Sequence, residues 1–426
     1  MPVSVLMIGP MRAISVVRAG VVTGGLLALV GCHPVLVNVP ERGHGVIGTG
    51  VNHLPELSDD GNVVAFETSD YLTAEDHQGT WDIYARDLRR RDTELMSVSP
   101  DGGQDGCGSN NPSISGDGRY VAWAACSGFP TVPPPPGTVG TNVYVKDRMT
   151  GVLEQIGIPE HLQLPGAGFG LLDQDGSHIV IWCFPTPDEV PVSVCLQDRR
   201  TRETTVVARR TDGQIVRAFV VPTSISDDGR LVAFVAPYAD VVPGSSDTRQ
   251  QLFVRDVAAG VTRPITIDPS VLSGDLEGRI SGDGTAAVVW QTAPPYHLVH
   301  KDLVTGVVQR VDQARCTDVA PSPTYALAAL SDDGDVVAFQ SGSEALVPQD
   351  TNGRDDVFVW RAEVPCALQR VSLGPGFREG DGHSYWPAMS GDGSSVAFVS
   401  EATNLVRDDT NGAADAFVVR LAAGLS

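Results

Sequence analysis

Oxygen-rich loops are the residues best suited to chemistry in this chain. Asp350-Thr351-Asn352-Gly353 followed by Asp356, and Asp409-Thr410-Asn411-Gly412 followed by Asp415, share one spacing, and Asp76-His77-Gln78-Gly79 with Asp82 echoes it. Carboxylate and amide oxygens around a glycine turn suit calcium, a hard cation that prefers oxygen ligands. Asp350, Asn352, Asp356, Asp409, Asn411 and Asp415 are therefore the candidate metal ligands. Two or three side-chain oxygens per loop need backbone and water to complete a shell, and Asx side chains capping their own turns explain the pattern more simply.

Other chemistries lack their motifs. Neither Gly-x-Ser-x-Gly, which marks a nucleophile elbow, nor the zinc helix His-Glu-x-x-His occurs. His297 and His300 are three residues apart, and on a strand that spacing sends them to opposite faces, away from a shared metal. No catalytic residue is assigned, and calcium is the one cofactor considered. The formal charge of −22, from 52 acidic and 30 basic residues, repels phosphate backbones and anionic headgroups, so nucleic acid is excluded as a partner.

The elements that must hold these loops repeat. Ser58-Asp59-Asp60-Gly61, Ser115-Gly116-Asp117-Gly118, Asp173-Gln174-Asp175-Gly176, Ser226-Asp227-Asp228-Gly229, Ser281-Gly282-Asp283-Gly284, Ser331-Asp332-Asp333-Gly334 and Ser390-Gly391-Asp392-Gly393 recur with their glycines 50 to 59 residues apart. That is the period of a four-stranded propeller blade with generous loops. Asp-Gly makes the hairpin turn, because Gly accepts positive φ and Asp bonds its own backbone. An apolar second strand follows each turn, as in Val63-Val64-Ala65-Phe66 and Val336-Val337-Ala338-Phe339. A third strand comes next, at 82–88, 142–148, 193–199, 251–257, 297–303, 356–362 and 415–421, and its alternation places it nearer the rim.

Fourth strands are expected at 95–99, 153–158, 204–208, 262–267, 307–311 and 368–372, and the seventh unit ends without one. Its partner stands at the other end of the chain, where Val35-Leu36-Val37-Asn38-Val39 precedes a Gly-rich loop and Pro55, as 368–372 precedes a Gly-rich loop and Pro387. The fold expected is all-β, a seven-bladed propeller closed by an N-terminal strand that completes the last blade. Closure leaves no open blade face, and a linear stack of seven hairpin units is the alternative. Forty-six glycines and thirty prolines suit such a turn-rich fold.

Arg12 and Arg18 precede an apolar run, 19–30, too short to span a bilayer comfortably. Residues 1–31 read as a signal peptide, starting at Met1 or Met11, and 32–426 as one propeller domain. Leu29-Val30-Gly31-Cys32 resembles the bacterial lipobox, which implies cleavage before Cys32 and a lipid on its sulfur; an ordinary signal peptide with a nearby cysteine is the alternative. Six cysteines remain, and an even number in an exported chain points to disulfides. Strand placement puts Cys107 with Cys126 on one rim and Cys183 with Cys195 across a hairpin, while Cys316 and Cys366 fall on opposite rims.

The Ser-x-Asp-Gly turn followed by Val-Ala-Phe, and by strands such as Asp356-Val357-Phe358-Val359, resembles the TolB-type, WD40-like propeller repeats over about residues 33–426. The resemblance implies a periplasmic propeller that binds other envelope proteins, and the lipobox a lipid anchor on the periplasmic or cell-surface face; the chain has no room for the small α/β domain of TolB, and no peptidase domain follows, so the expectation is a scaffold for another envelope protein or a glycan. A monomer is expected, attached to the membrane only through its anchor. The alternatives are a calcium-dependent carbohydrate binder and a lyase or hydrolase acting at the central channel. Tyr385 and Trp386, in the connection between blades six and seven, are a candidate aromatic anchor, with packing between blades the alternative role for Trp386. Pro133-Pro134-Pro135-Pro136 reads as a stiff spacer or docking segment.

Overall fold

The computed structural model describes residues 34–38, 53–162, 170–183, 193–294, 296–313, 327–364, 368–407, 409 and 411–422. Within the unit Gly31–Ser426 they form seven four-stranded antiparallel sheets, the seven blades of a propeller. A two-stranded ribbon, Leu373–Gly374 with Arg378–Glu379, is added beside them, and helix among the described residues amounts to Tyr238–Val241 and a single 3-10 turn. Blade one runs His53–Leu57, Val63–Thr68, Asp82–Asp87 and Asp92–Leu95, from the channel outward.

The repeat motif builds each inner hairpin. In blade one the Ser58 hydroxyl donates to Asp60 Oδ1 at 2.9 Å and accepts the Val63 amide at 3.0 Å, while Asp60 Oδ1 also accepts the Asn62 amide at 3.0 Å. Gly61 sits at φ 61° to let the chain reverse. Ser115, Ser226, Ser281, Ser331 and Ser390 repeat the bridge. In blade three Asp173 replaces the serine and accepts the His178 amide at 3.0 Å.

These turns are also tied to one another. The Asp59 amide donates to Gly116 O at 2.8 Å, Asp117 to Gln174 O at 3.0 Å, Gln174 to Asp227 O at 3.4 Å, and Asp227 to Gly282 O at 2.8 Å. Asp283 donates to Asp332 O at 2.9 Å, Asp332 to Gly391 O at 2.8 Å, and Asp392 back to Asp59 O at 2.9 Å. Seven backbone hydrogen bonds thus close a circle around one mouth of the channel.

Second strands are buried along their length, as in Val63–Thr68 and Ser395–Ser400, because alternate side chains serve opposite faces. Val63 and Ala65 join the core shared with Trp123 of blade two, whereas Val64 and Phe66 join the one shared with Ala397 of blade seven. Third strands are buried too: Asp82–Asp87, Ser193–Asp198 and Asp356–Arg361 each have five buried residues out of six. The third strand is the third of four counted from the channel, nearer the rim as expected, yet blade-to-blade packing covers it and the fourth alone forms the outer edge. Aromatics pair across second and third strands in register, Phe66 with Tyr84 at 6.0 Å, Phe234 with Phe253 at 5.7 Å, Phe339 with Phe358 at 5.6 Å and Phe398 with Phe417 at 5.9 Å.

The last blade is closed by Val35–Leu36, with Val35 opposite Val418 and Leu36 opposite Phe417. Val37 is fully buried, and its amide donates to Ala416 O at 2.8 Å. The fourth strand of blade one lies at Asp92–Leu95, earlier than the expected 95–99. Met96 and Ser97 both donate to Ile83 O, which takes the chain out of the ladder.

Disulfides join Cys107 to Cys126 and Cys183 to Cys195. Cys32, Cys316 and Cys366 lie outside the described residues. Cys183 and Cys195 are fully buried, while Cys107 and Cys126 are exposed. Thiol exchange needs access to a sulfur, so mild reductant under native conditions is expected to open Cys107–Cys126 first. Cys183–Cys195 should stay closed until the protein unfolds, as differential alkylation and mass spectrometry will read.

Candidate functional site

Antiparallel blades place the second-to-third and fourth-to-first connections on one face and the Ser-x-Asp-Gly turns on the other. Candidate residues fall on both faces. On the loop face, the motif acids of blade six surround a cation already present in the chain. Arg370 Nη1, on the fourth strand, lies 3.0 Å from each of Asp350 Oδ1, Asp356 Oδ2 and Glu379 Oε1. Asp356 also accepts Ser372 Oγ at 2.5 Å and Asn352 Nδ2 at 3.3 Å, and the Asn352 carbonyl caps the Arg354 amide at 3.0 Å. Asp350 is pushed up to about 6, chiefly by burial, against the pull of Arg370. A guanidinium therefore stands where calcium was expected in blade six. Glu379 and Arg370 escaped the sequence reading, because only the register of third and fourth strands and the small ribbon bring them to the loop.

In blade one, neutral donors meet the equivalent acids: Tyr84 Oη and Gln104 Nε2 donate to Asp76 at 2.6 and 3.0 Å. Asp415 of blade seven accepts Asn38 Nδ2 at 2.6 Å and Asn411 Nδ2 at 3.0 Å, and Asn411 Oδ1 accepts the Ala413 amide at 3.0 Å. The Asx capping expected of these asparagines is present in both blades six and seven. Among the described residues, no three His, Cys, Asp or Glu side chains gather as a metal centre.

Tyr385 and Trp386, both half-buried, meet edge to face with centroids 4.7 Å apart. Trp386 lies in a bulge of the inner strand Ser384–Met389 at φ 55°, with its amide donating to Gln340 Oε1 of blade six at 3.0 Å. Asn111 repeats this at φ 54° before Pro112, its amide on Glu67 Oε2 at 3.0 Å. A bulge re-aims its side chain, and a left-handed conformation is costly for a bulky residue. Residues 133–136 form one wall of an open groove of about 620 Å³, with Pro100, Val152, Leu153 and Arg202 among its other residues. His297 bonds Asp312 at 2.9 Å while His300 lies tilted against Trp360, centroids 5.1 Å apart, so the two rings sit in separate surroundings.

At the turn face, the channel narrows to a cavity of about 160 Å³ lined by Glu56, Asp59, Asp173, Asp227, Arg279 and Asp332 among others. Large and small residues share the ring of turns: Asp59 lies against Gly116, Asp227 against Gly282, and Asp332 against Gly391, where any side chain would collide with a carboxylate. Burial first, and then the charges of neighbouring aspartates, push Asp227 up to about 6 and Asp332 up to about 7. Asp59 is raised less freely, because Gln174 Nε2 donates to it at 3.2 Å. A single repeat shows only a turn acid here; convergence of Asp59, Asp227 and Asp332 needs the closed ring.

Fold and site define the chain as a seven-bladed β-propeller with an acid-lined channel mouth and a braced loop face. Among solved structures it is similar to an oligogalacturonate lyase from Vibrio parahaemolyticus, at 14% identity and a TM-score of 0.55 over 92% of this chain and 97% of that one. It is similar to a prolyl endopeptidase at 14% identity and a TM-score of 0.53, covering 88% of this chain and 51% of that one, so it spans about half of that enzyme. TolB from Acinetobacter baumannii follows at 14% identity and a TM-score of 0.43, over 80% and 66% of the two chains. No family model and no curated protein matches the chain. At such identities the likeness is one of fold.

Raised acids set the pH dependence. Asp82 and Asp332 at about 7, and Asp227, Asp350 and Asp409 at about 6, bind protons more tightly folded than unfolded. Their contribution to stability is complete below the unfolded carboxylate value and is lost as pH rises through 6 to 7. Asp147 and Asp247, held at about 2 by Arg119 and Arg249, act oppositely and only in stronger acid. Melting temperature is expected to peak between about pH 4 and 6 and to fall towards pH 8. Asp332→Asn should flatten that fall and stabilise the protein at pH 8 by about 1 kcal/mol, the low end for an unpaired group because the mouth meets solvent. Scanning fluorimetry across pH checks both.

Proposed function

We propose that the protein is an exported, lipid-anchored binding propeller that holds another envelope protein or an envelope polymer on its loop face. The observation that carries this reading is the Tyr385–Trp386 pair: two half-buried aromatics in edge contact, with Trp386 in a costly left-handed conformation fixed by Gln340. Strained bulky residues held by their surroundings cluster at binding sites, and aromatic anchors dominate interface energetics. Two disulfides favour an oxidising compartment. Anchoring through Cys32 and a monomeric state complete the proposal.

A second reading, a lyase or hydrolase acting at the channel, is favoured by Asp227 and Asp332, whose raised values suit general bases near neutral pH. Arg279 is the one basic residue lining the mouth among the described residues. A polyanion such as oligogalacturonate, after which the Vibrio lyase is named, would meet repulsion there, so a neutral or cationic substrate fits better.

The test is photocrosslinking in the native cell, with a photoreactive residue at Tyr385 and a Cys32→Ala control, followed by mass spectrometry. One specific partner is expected. Trp386→Ala should weaken it by about 2 kcal/mol, roughly thirtyfold, as for an interface hot spot, with melting essentially unchanged. Loss of nothing on Trp386→Ala, together with substrate turnover abolished by Asp332→Asn, would move the function to the channel.

A further inference from the structure

Three blades place one acid in the second-to-third loop and another at the head of the third strand: Asp76 and Asp82, Asp350 and Asp356, Asp409 and Asp415. What meets each pair differs. Blade one supplies Tyr84 and Gln104 to Asp76, and Ser97 to Asp82. The tyrosine position is Phe358 in blade six and Phe417 in blade seven, as register with Phe339 and Phe398 shows, so neither has that hydroxyl. Blade six brings Arg370 instead, opposite Phe358, with Nη1 3.0 Å from both acids. Opposite Phe417 the closing strand carries Leu36.

Among the described residues, blade seven thus keeps the acids and lacks the guanidinium. Asp415 is fully buried; its Oδ1 is taken by Asn38 and Asn411, while its Oδ2 has no hydrogen-bond donor among the described residues. Both Asp409 oxygens are buried and equally without a donor in hydrogen-bonding geometry among the described residues. Burial and then the charge of Asp415 push Asp409 up to about 6, against the influence of the Asn411 amide. A buried carboxylate pair is relieved by donors, by a held proton or by a compensating positive charge, and blade six shows that this position accepts the last.

We propose that Asp409 and Asp415 bind a calcium ion at the seam where the N-terminal strand enters the last blade. Two carboxylates balance a divalent charge and leave three oxygens free, and calcium completes six to eight ligands with backbone and water in a flexible geometry. Zinc is disfavoured, since no histidine or thiolate belongs to the pair. Asn38 bonds Asp415 from the closing strand, so the ion stiffens the closure of the ring. An affinity of roughly 10⁻⁴–10⁻³ M, that of extracellular calcium modules, is the class expected.

Purified protein is treated with chelator, dialysed, and followed by scanning fluorimetry and calorimetric titration with calcium chloride, magnesium chloride, and sodium chloride at matched ionic strength. Calcium is expected to release binding heat and raise the melting temperature by several degrees, with little response to the other salts. Asp409→Asn should melt above wild type in chelator, because an uncompensated charge is removed, and should lose the calcium increment. Leu36→Arg, which imports the blade-six solution, should do the same by a different route. Asp350→Asn, in the blade-six loop where Arg370 already stands, should keep the increment. Absence of heat and shift in wild type, retention of the increment in both Asp409→Asn and Leu36→Arg, or an equal response to magnesium would each overturn the assignment.

Discussion

Ring closure governs this molecule. Each blade is a sheet with two apolar faces, and a sheet face left open to water costs too much to persist, so every blade needs two neighbours and the last must meet the first. The circle of seven backbone hydrogen bonds at the channel mouth fixes the angular spacing, and the strand Val35–Leu36, borrowed from the start of the chain, locks the seam. Both rely on positions that do little in one isolated hairpin: the second residue of each turn donates or accepts across to the next blade.

The same closure decides where charge is tolerated. Seven turns aimed at one axis bring their second residues together, and three are aspartates separated by small neighbours. Alternation of Asp59, Asp227 and Asp332 with Gly116, Gly282 and Gly391 lets the ring form without steric conflict, at the expense of acids that hold protons into the neutral range. Around the loop face the opposite policy prevails. There the acids of blades one and six are buried and individually compensated, by Tyr84 and Gln104 and by Arg370.

A propeller of this kind supports binding and catalysis alike, and the solved structures similar to this one include enzymes with different chemistries. Function must then be argued from the site. Net charge narrows the choice: with −22 on the chain and acids at the channel mouth, polyanions are poor ligands there.

Legibility in the sequence followed the range of the interactions. Local rules, Asp-Gly turns recurring at blade spacing and apolar second strands, were enough to read seven blades, and the missing seventh fourth strand pointed to the N-terminus. Cys107 with Cys126 and Cys183 with Cys195 were readable because each pair is bridged within one blade. Tertiary structure decided the rest, for reasons of register and convergence. Arg370 reaches Asp350 and Asp356 only through the pairing of third and fourth strands, Leu36 faces Phe417 only because the chain ends meet, and Asp59, Asp227 and Asp332 become neighbours only when the circle closes. Spacing along a chain reports which turn an aspartate makes; which charge stands beside it is set by strand register for Arg370 and, for Asp59, Asp227 and Asp332, by residues more than a hundred positions away.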